Sequence, residues 1–504
     1  MTIDLCAAPL LERLAGATTS PTPYADALAA HGEREHVRLI VPGHAADPLA
    51  APRLTAYFGG SVLQRDVTPL IPGLDLGPGN ALQQARELAA EAWSAKRTWF
   101  LTNGASQANR TIALALASYQ RTDAPVVVQR SAHSSTVDGI VVAGLRPVFV
   151  QPSIDTNHGI AHGVSPAALI AALAEAPGCK AVVLTSPSYF GAVADIPALA
   201  EIAHEAGAAL IVDGAWASHF GFHEDLPAQP LTQGADVLVS STHKFGGSLT
   251  QSAMLHLADT EHGRALEPLV ERAFRLTQST SESSLLLASL DLARAELVDG
   301  HDGLTAAIAA AAEIRDRIRR IGRFGIASDD FAAFDDIVAV DPMRVSIDVS
   351  LGGVGGHTAR NTLMQRGVFL EIATETCVVA ILGPGVVPDI DRFIDELHAL
   401  PASHDGEIPR VGTVPVPGEL VMLPRDAFLR PSVAVAAADA VGRISAETLA
   451  AYPPGIPNVM PGELITAEAV RFLTAVSASP GGHVRGASDR TLATFRVITD
   501  APGD

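Results

Sequence analysis

Basic residues are scarce in this chain. Lysine and arginine together number 35 against 55 aspartates and glutamates, a formal net charge of −20. Nucleic-acid affinity rests on cations meeting phosphates, so this balance argues against a polyanion partner. It mildly favours a small cationic ligand through long-range attraction. Cysteine is scarcer still: Cys6, Cys179 and Cys377 lie far apart and form no CxxC. Unpaired thiols in a reducing cytoplasm are expected. No apolar run is long enough to cross a bilayer. The N-terminus, MTIDLCAAPLLERLAG, has no basic leader segment, and Glu12 and Arg13 interrupt its apolar stretch. Neither a membrane protein nor a secretory leader is expected. Internal repeats and low-complexity tracts are absent. Aromatics make up only 5% of the chain, while alanine and glycine abound, as in helix-rich α/β enzymes.

What is present is apolar material enough for two or three domains: 504 residues, 48% of them hydrophobic. Residues 1–45 read as an arm with a helix or two, ending at Pro42-Gly43-His44. From about residue 82 the pattern is α/β. Residues 81–95 and Ser106 to Tyr119 have helical period. The runs Thr98–Leu101, Val126–Gln129, Pro147–Gln151, Ala181–Thr185, Ala209–Asp213 and Val237–Ser241 read as strands. Almost wholly apolar strands alternating with helices predict a parallel sheet covered on both faces. The spacing predicts a large domain over 46–295, with a long helical stretch starting near 283. A smaller α+β domain is expected over 296–400, a Pro- and Gly-rich linker over 401–417, and a last region, 418–504, with one helix near 432–442.

Parallel sheets bind ligands at the carboxyl ends of their strands. Polar residues cluster at those ends here: Asn103-Gly104-Ala105-Ser106, Ser186-Pro187-Ser188-Tyr189, Asp213, and Ser241-Thr242-His243-Lys244. Gly104-Ala105-Ser106, between strand and helix, suits an anion, because free N–H groups and the helix dipole converge there. Asp213 ends a buried strand and needs a partner, for which a protonated ring nitrogen would serve. His133 follows a strand and could stack on a flat ring. Lys244, at the mouth of an apolar strand, suits a Schiff base, since a buried amine sheds its charge readily. His158 and His162 form HxxxH, but the lack of a nearby third ligand argues against a metal, and none is expected. Leu351-Gly-Gly-Val-Gly-Gly356 lacks dinucleotide-loop spacing and reads as a tight turn.

Taken together, these motifs identify the chain as similar to the fold-type I pyridoxal-phosphate enzymes, specifically the ornithine/lysine/arginine decarboxylases. The segments that carry the resemblance are Pro42-Gly-His, Thr102 to Gln107, Arg130 to Ser135, Thr185 to Gly191, Asp213 to His219, Ser241 to Lys244, Leu287 to Asp291 and Tyr452 to Glu463. The last is the most subfamily-specific. The resemblance implies an aspartate-aminotransferase-like large domain, a smaller α+β domain and a C-terminal α/β region. It implies pyridoxal 5′-phosphate on Lys244, with Asp213 holding the ring nitrogen and His133 stacking on the ring. Gly104, Ala105, Ser106, Ser241 and His243 would surround the phosphate, and Ala215 and Trp216 the other face. In such dimers Ser279 or Thr280 reaches a neighbour's phosphate. The implied reaction is decarboxylation of a basic L-amino acid, arginine or lysine ahead of ornithine, to the amine and CO2. Glu463 is a candidate for the substrate's distal cation and equally for a helix-start carboxylate before Leu464-Ile-Thr.

The chain also departs from the family pattern. Gly214, Trp216 and Ala217 stand where relatives often carry Glu and His-Gly, and Ala45 replaces a lysine after Pro42-Gly-His. Transamination, elimination or oxidation of a basic amino acid, or a non-catalytic ligand-binding role, therefore stay open at this level. Arg344 is a weak candidate for an α-carboxylate anchor, because a residue flanking a strand has an equally good structural reason to be there. The early position of Pro42-Gly-His leaves no room for the N-terminal wing of larger relatives, so a homodimer or dimer-based assembly is expected rather than a wing-built decamer.

Overall fold

Seven apolar segments form one sheet: β1 (Arg97–Leu101), β2 (Val126–Gln129), β3 (Pro147–Val150), β4 (Ala181–Thr185), β5 (Ala209–Asp213), β6 (Val237–Ser240) and β7 (Ala253–Leu257). Their order is β1-β7-β6-β5-β4-β2-β3. All neighbours from β6 to β3 pair in parallel, and only β7 runs against its two partners, β1 and β6. The computed structural model describes residues 20–120, 124–402, 415–452, 456–478 and 482–499. Cys6 with the rest of residues 1–19 of the N-terminal arm, most of the expected linker, and Pro453 to Gly455 lie outside them.

The sheet's Val, Ile, Leu and Ala side chains are buried on both faces. One face packs with Leu82, Leu169, Leu199 and Leu290, the other with Ile112, Leu116, Ile140 and Val270. Helix α1 (Gly104–Tyr119) follows β1 and α2 (Ser134–Ala143) follows β2, so both start at the carboxyl edge of the sheet. Strand β7 carries no polar-to-apolar alternation, and its His256 sits in mid-strand. That imidazole is fully buried, stacked on Trp93 at 5.0 Å and bonded to the Thr98 hydroxyl at 2.9 Å, which is how an apolar strand accommodates it.

The long helical stretch is two helices, Ser284–Asp299 and His301–Ile321, separated at Gly300. A second, antiparallel sheet holds Gly325–Ile326, Arg344–Asp348, Cys377–Ile381 and Ile372–Ala373 in that order. The glycine-rich turn at 351–356 opens helix Gly356–Gln365. A Cβ at Gly356 would stand 2.3 Å from the Thr374 carbonyl oxygen, so close packing, not nucleotide binding, requires glycine there. In the last region the expected helix near 432–442 is instead strand Ser432–Ala436, paired with Thr494–Ile498, followed by one helical turn, Ala437–Ala440. Alternating Val433 and Val435 fit a strand better than a 3.6-residue period. The region's longer helix is Ala467–Ala478.

Candidate active site

Strand β6 delivers Ser241 at its end, and one helical turn, Thr242–Phe245, carries Lys244. The Lys244 Nζ lies 3.7 Å from the centroid of the Trp216 ring and 5.8 Å from that of Tyr189. Among the described residues no carboxylate forms an ion pair with it. Burial pushes its pKa down to about 8; the field of Arg344 adds to this and that of Asp213 opposes it. The amine is therefore much nearer its neutral, nucleophilic form than a solvated lysine is at the same pH.

Strand β5 ends in Asp213, which is 2% exposed. Its Oδ2 accepts from Asn109 Nδ2 at 2.9 Å, and its Oδ1 from the Ala215 N–H at 3.2 Å. The Asn109 amide also donates to Ser135 Oγ at 2.9 Å. That hydroxyl lies 2.8 Å from His133 Nδ1, which also accepts from the Ser135 N–H. His133 thus caps α2 with its own ring, and burial lowers its pKa, favouring the neutral imidazole.

At the start of α1, Gly104 has φ +72°, a left-handed conformation that glycine adopts without strain. The helix has no side-chain N-cap bond. Its first N–H groups have no intrahelical acceptor and remain open to an anion. His243 Nδ1 pairs with the Ser252 carbonyl at 2.9 Å, leaving Nε2 for another partner.

One cavity of about 550 Å³ is lined by Gly104, Ala105, Ser106, His133, Asp213, Ala215, Trp216, Ser241, His243 and Lys244. Ser279 and Thr280 are exposed in the loop after helix Glu261–Thr277 and do not line it. Glu463 is a correction to the sequence reading. Instead of awaiting a substrate cation, it is buried and bidentate on Arg130, at 2.5 and 2.9 Å, and its Oε2 also accepts from the Met460 N–H. Arg344 is likewise committed: Nη1 donates to the carbonyls of Ser188 at 2.6 Å and Tyr189 at 2.7 Å, and the guanidinium lies over Trp216 at 4.5 Å. Neither side chain lines the cavity. The imidazoles of the HxxxH pair take separate partners. His158 bridges Asp155 and Asp348, which holds its pKa up at about 9, whereas His162 packs edge-on to Phe331 and Phe334.

The sequence reading missed Asn109 and Ser135. Both stand within or beside motifs it used, but neither residue type announces a partner 104 or 26 positions away.

The family model for the Orn/Lys/Arg decarboxylase major domain matches residues 22–335, and that for the family's C-terminal domain matches 416–481. The chain belongs to the Orn/Lys/Arg decarboxylase family. It is 32% identical to an arginine decarboxylase of Bacillus subtilis over 95% of this chain and 98% of the relative. Against a lysine decarboxylase of Pseudomonas aeruginosa the identity is 24%, over 90% of this chain and 75% of the relative. Among solved structures, lysine decarboxylase A of Pseudomonas aeruginosa superposes with a TM-score of 0.80 at 21% identity, covering 97% of this chain and 81% of that one. The constitutive lysine decarboxylase of Escherichia coli gives 0.77 at 20% identity, covering 98% and 85%. The fold is accordingly that of fold-type I pyridoxal-phosphate enzymes. Family membership makes the chain a carboxy-lyase of basic amino acids. None of the described helices is long and apolar enough to cross a membrane.

Proposed function

We propose that the cavity holds pyridoxal 5′-phosphate on Lys244 and that the chain decarboxylates L-arginine in preference to lysine or ornithine. One observation carries the cofactor assignment: a partly buried amine with a depressed pKa, lacking a carboxylate partner among the described residues, shares its cavity with a buried strand-end aspartate. The donor set fits the group. Open N–H groups at Ala105 and Ser106 and the side chains of Ser241 and His243 suit a phosphate. Asp213, held by Asn109, suits a protonated ring nitrogen; His133 and Ala215 suit the two ring faces. When bound, the group supplies an electron sink for the pair left by departing CO2. The chain's own part is to orient and to manage protons. Asn109 fixes the Asp213 carboxylate, Trp216 holds the Lys244 amine in place, and Lys244 exchanges a proton at Nζ.

The arginine preference rests on relatives. Four arginine decarboxylases are 30–32% identical over 88–95% of this chain, ahead of the lysine enzymes at 22–24%. Comparing kcat/KM for arginine, lysine and ornithine tests it. Arginine should lead by at least tenfold, about 1.4 kcal/mol of transition-state discrimination; equal values, or lysine in front, would refute it.

The working unit is a homodimer. Val37 and Leu39 are about nine-tenths exposed, at 91% and 90%, and Ile40, Val41, Tyr57, Leu70 and Leu276 are exposed as well. Soluble chains seldom leave that much apolar surface uncovered. A second copy would cover it and bring Thr280 towards the neighbouring cavity. Sedimentation equilibrium should return twice the chain mass of 52.3 kDa. Leu39→Asp with Tyr57→Asp should shift the population to monomer and lower activity. Buried, unpaired Cys179 and Cys377 support a reducing, cytoplasmic setting.

A further inference from the structure

We propose that the C-terminal region is a working part of the cofactor site: Glu463 fixes Arg130, and through it the turn that presents His133. This rests on the pyridoxal-phosphate reading above. Arg130 is the first residue after β2, and its backbone N–H donates to Val150 at the end of β3, 2.8 Å away. Its side chain points into the C-terminal region. Two guanidinium nitrogens meet the two oxygens of Glu463, Nε donates to the Pro457 carbonyl at 2.9 Å, and the plane lies over Phe149 at 4.6 Å. Every direction of the guanidinium plane is thereby constrained. Arg130 and Glu463 are each 2% exposed.

A buried ion pair is a poor device for stability alone, because desolvation offsets most of its attraction. What a bidentate pair does supply is a fixed direction. The residue it fixes is three positions before His133, in a turn closed by the Ala132 N–H on the Gln129 carbonyl at 3.0 Å. From His133 the contacts run on through Ser135 and Asn109 to Asp213. Glu463 thus stands at the far end of a bonded path to the groups around the ring. Arg485, also from the C-terminal region, adds its field to those acting on His133. Glu463 and Arg130 are positioning residues: they act through His133.

The test is Glu463→Gln, which keeps a hydrogen-bonding group of the same size and removes the charge. Three quantities are read on the full chain: the dissociation constant of pyridoxal phosphate, by fluorescence titration of the cofactor-free protein; the visible circular dichroism per bound cofactor; and kcat and KM for arginine. The expected result is a cofactor dissociation constant raised about tenfold, kcat lowered about tenfold, an altered dichroism band, and KM within about twofold, the scale of losing charge-assisted hydrogen bonds. A role in stability alone would lower the melting temperature of the cofactor-free chain and leave the dissociation constant and dichroism of the folded fraction unchanged. That outcome overturns the proposal. So does a raised KM with normal cofactor affinity, which would place Glu463 on the substrate instead. Arg130→Lys retains the charge but loses the bidentate geometry; it should shift cofactor affinity in the same direction, and decides the matter if the Gln variant does not fold. Wild-type protein that takes up no cofactor would sink the underlying reading, whatever Glu463 does.

Discussion

Lys244→Ala should lower kcat by about four orders of magnitude or more, since it removes both a covalent anchor and a proton-transfer group. Mass spectrometry should find no cofactor attached to the variant, while wild type carries one per chain. The variant should still fold. The folded-state pKa of Lys244 is about 8, below the value of about 10.4 for an exposed lysine. Protonation therefore disfavours the folded, cofactor-free chain, and the cost is fully present below about pH 8. It disappears as pH rises towards about 10.4, where the unfolded chain also loses its proton. At pH 7 the cofactor-free variant should melt no lower than cofactor-free wild type, and its advantage should shrink as pH rises through that window. A catalytic defect accompanied by a lowered melting temperature at pH 7 would contradict this assignment of the amine.

Asp213→Asn should cost less, but still a great deal. Removing one charge from a buried, hydrogen-bonded pair costs about 2–5 kcal/mol. At about 1.4 kcal/mol per factor of ten, that is about thirty- to four-thousandfold in kcat/KM. The substitution also turns an amide towards the Asn109 amide, which now donates to Asp213 Oδ2 at 2.9 Å. Asn109→Ala, which frees the carboxylate without discharging it, should produce a milder loss in the same direction. Steady-state kinetics on both variants, saturated with cofactor, measure the difference. If Asn109→Ala matched Asp213→Asn, the orienting bond would matter as much as the charge, and the charge argument would fail.

Much of this site is visible in the sequence because its parts are local. Asp213 ends an almost wholly apolar strand, Lys244 sits in the helical turn just after another, and Gly104-Ala105-Ser106 sits where a strand gives way to a helix. Such junctions converge at one edge of a parallel sheet, so the strands' order is not needed to see that these groups meet. Strand β7 escaped notice because an imidazole in mid-strand looks solvated until Trp93 and Thr98 are placed beside it. At Ser432–Ala436 only two valines, Val433 and Val435, carry the strand alternation among small residues, and the pairing with Thr494–Ile498 makes it plain. Glu463 is the clearest case. A carboxylate in a motif reads as a ligand for a cation, and so it is, but the cation is Arg130, 333 residues earlier. No local signal carries a pairing of that range.

The role proposed for Lys244 and Asp213 is the breaking of a carbon–carboxylate bond in a basic amino acid. Product stoichiometry from carboxyl-labelled L-arginine, with cofactor-saturated protein, measures this most directly. Labelled CO2 and the corresponding amine should appear in equal amounts, with no keto acid, ammonia or peroxide, and neither should form with Lys244→Ala. Keto acid, ammonia or peroxide in place of the amine would contradict that role, even with the cofactor bound at Lys244.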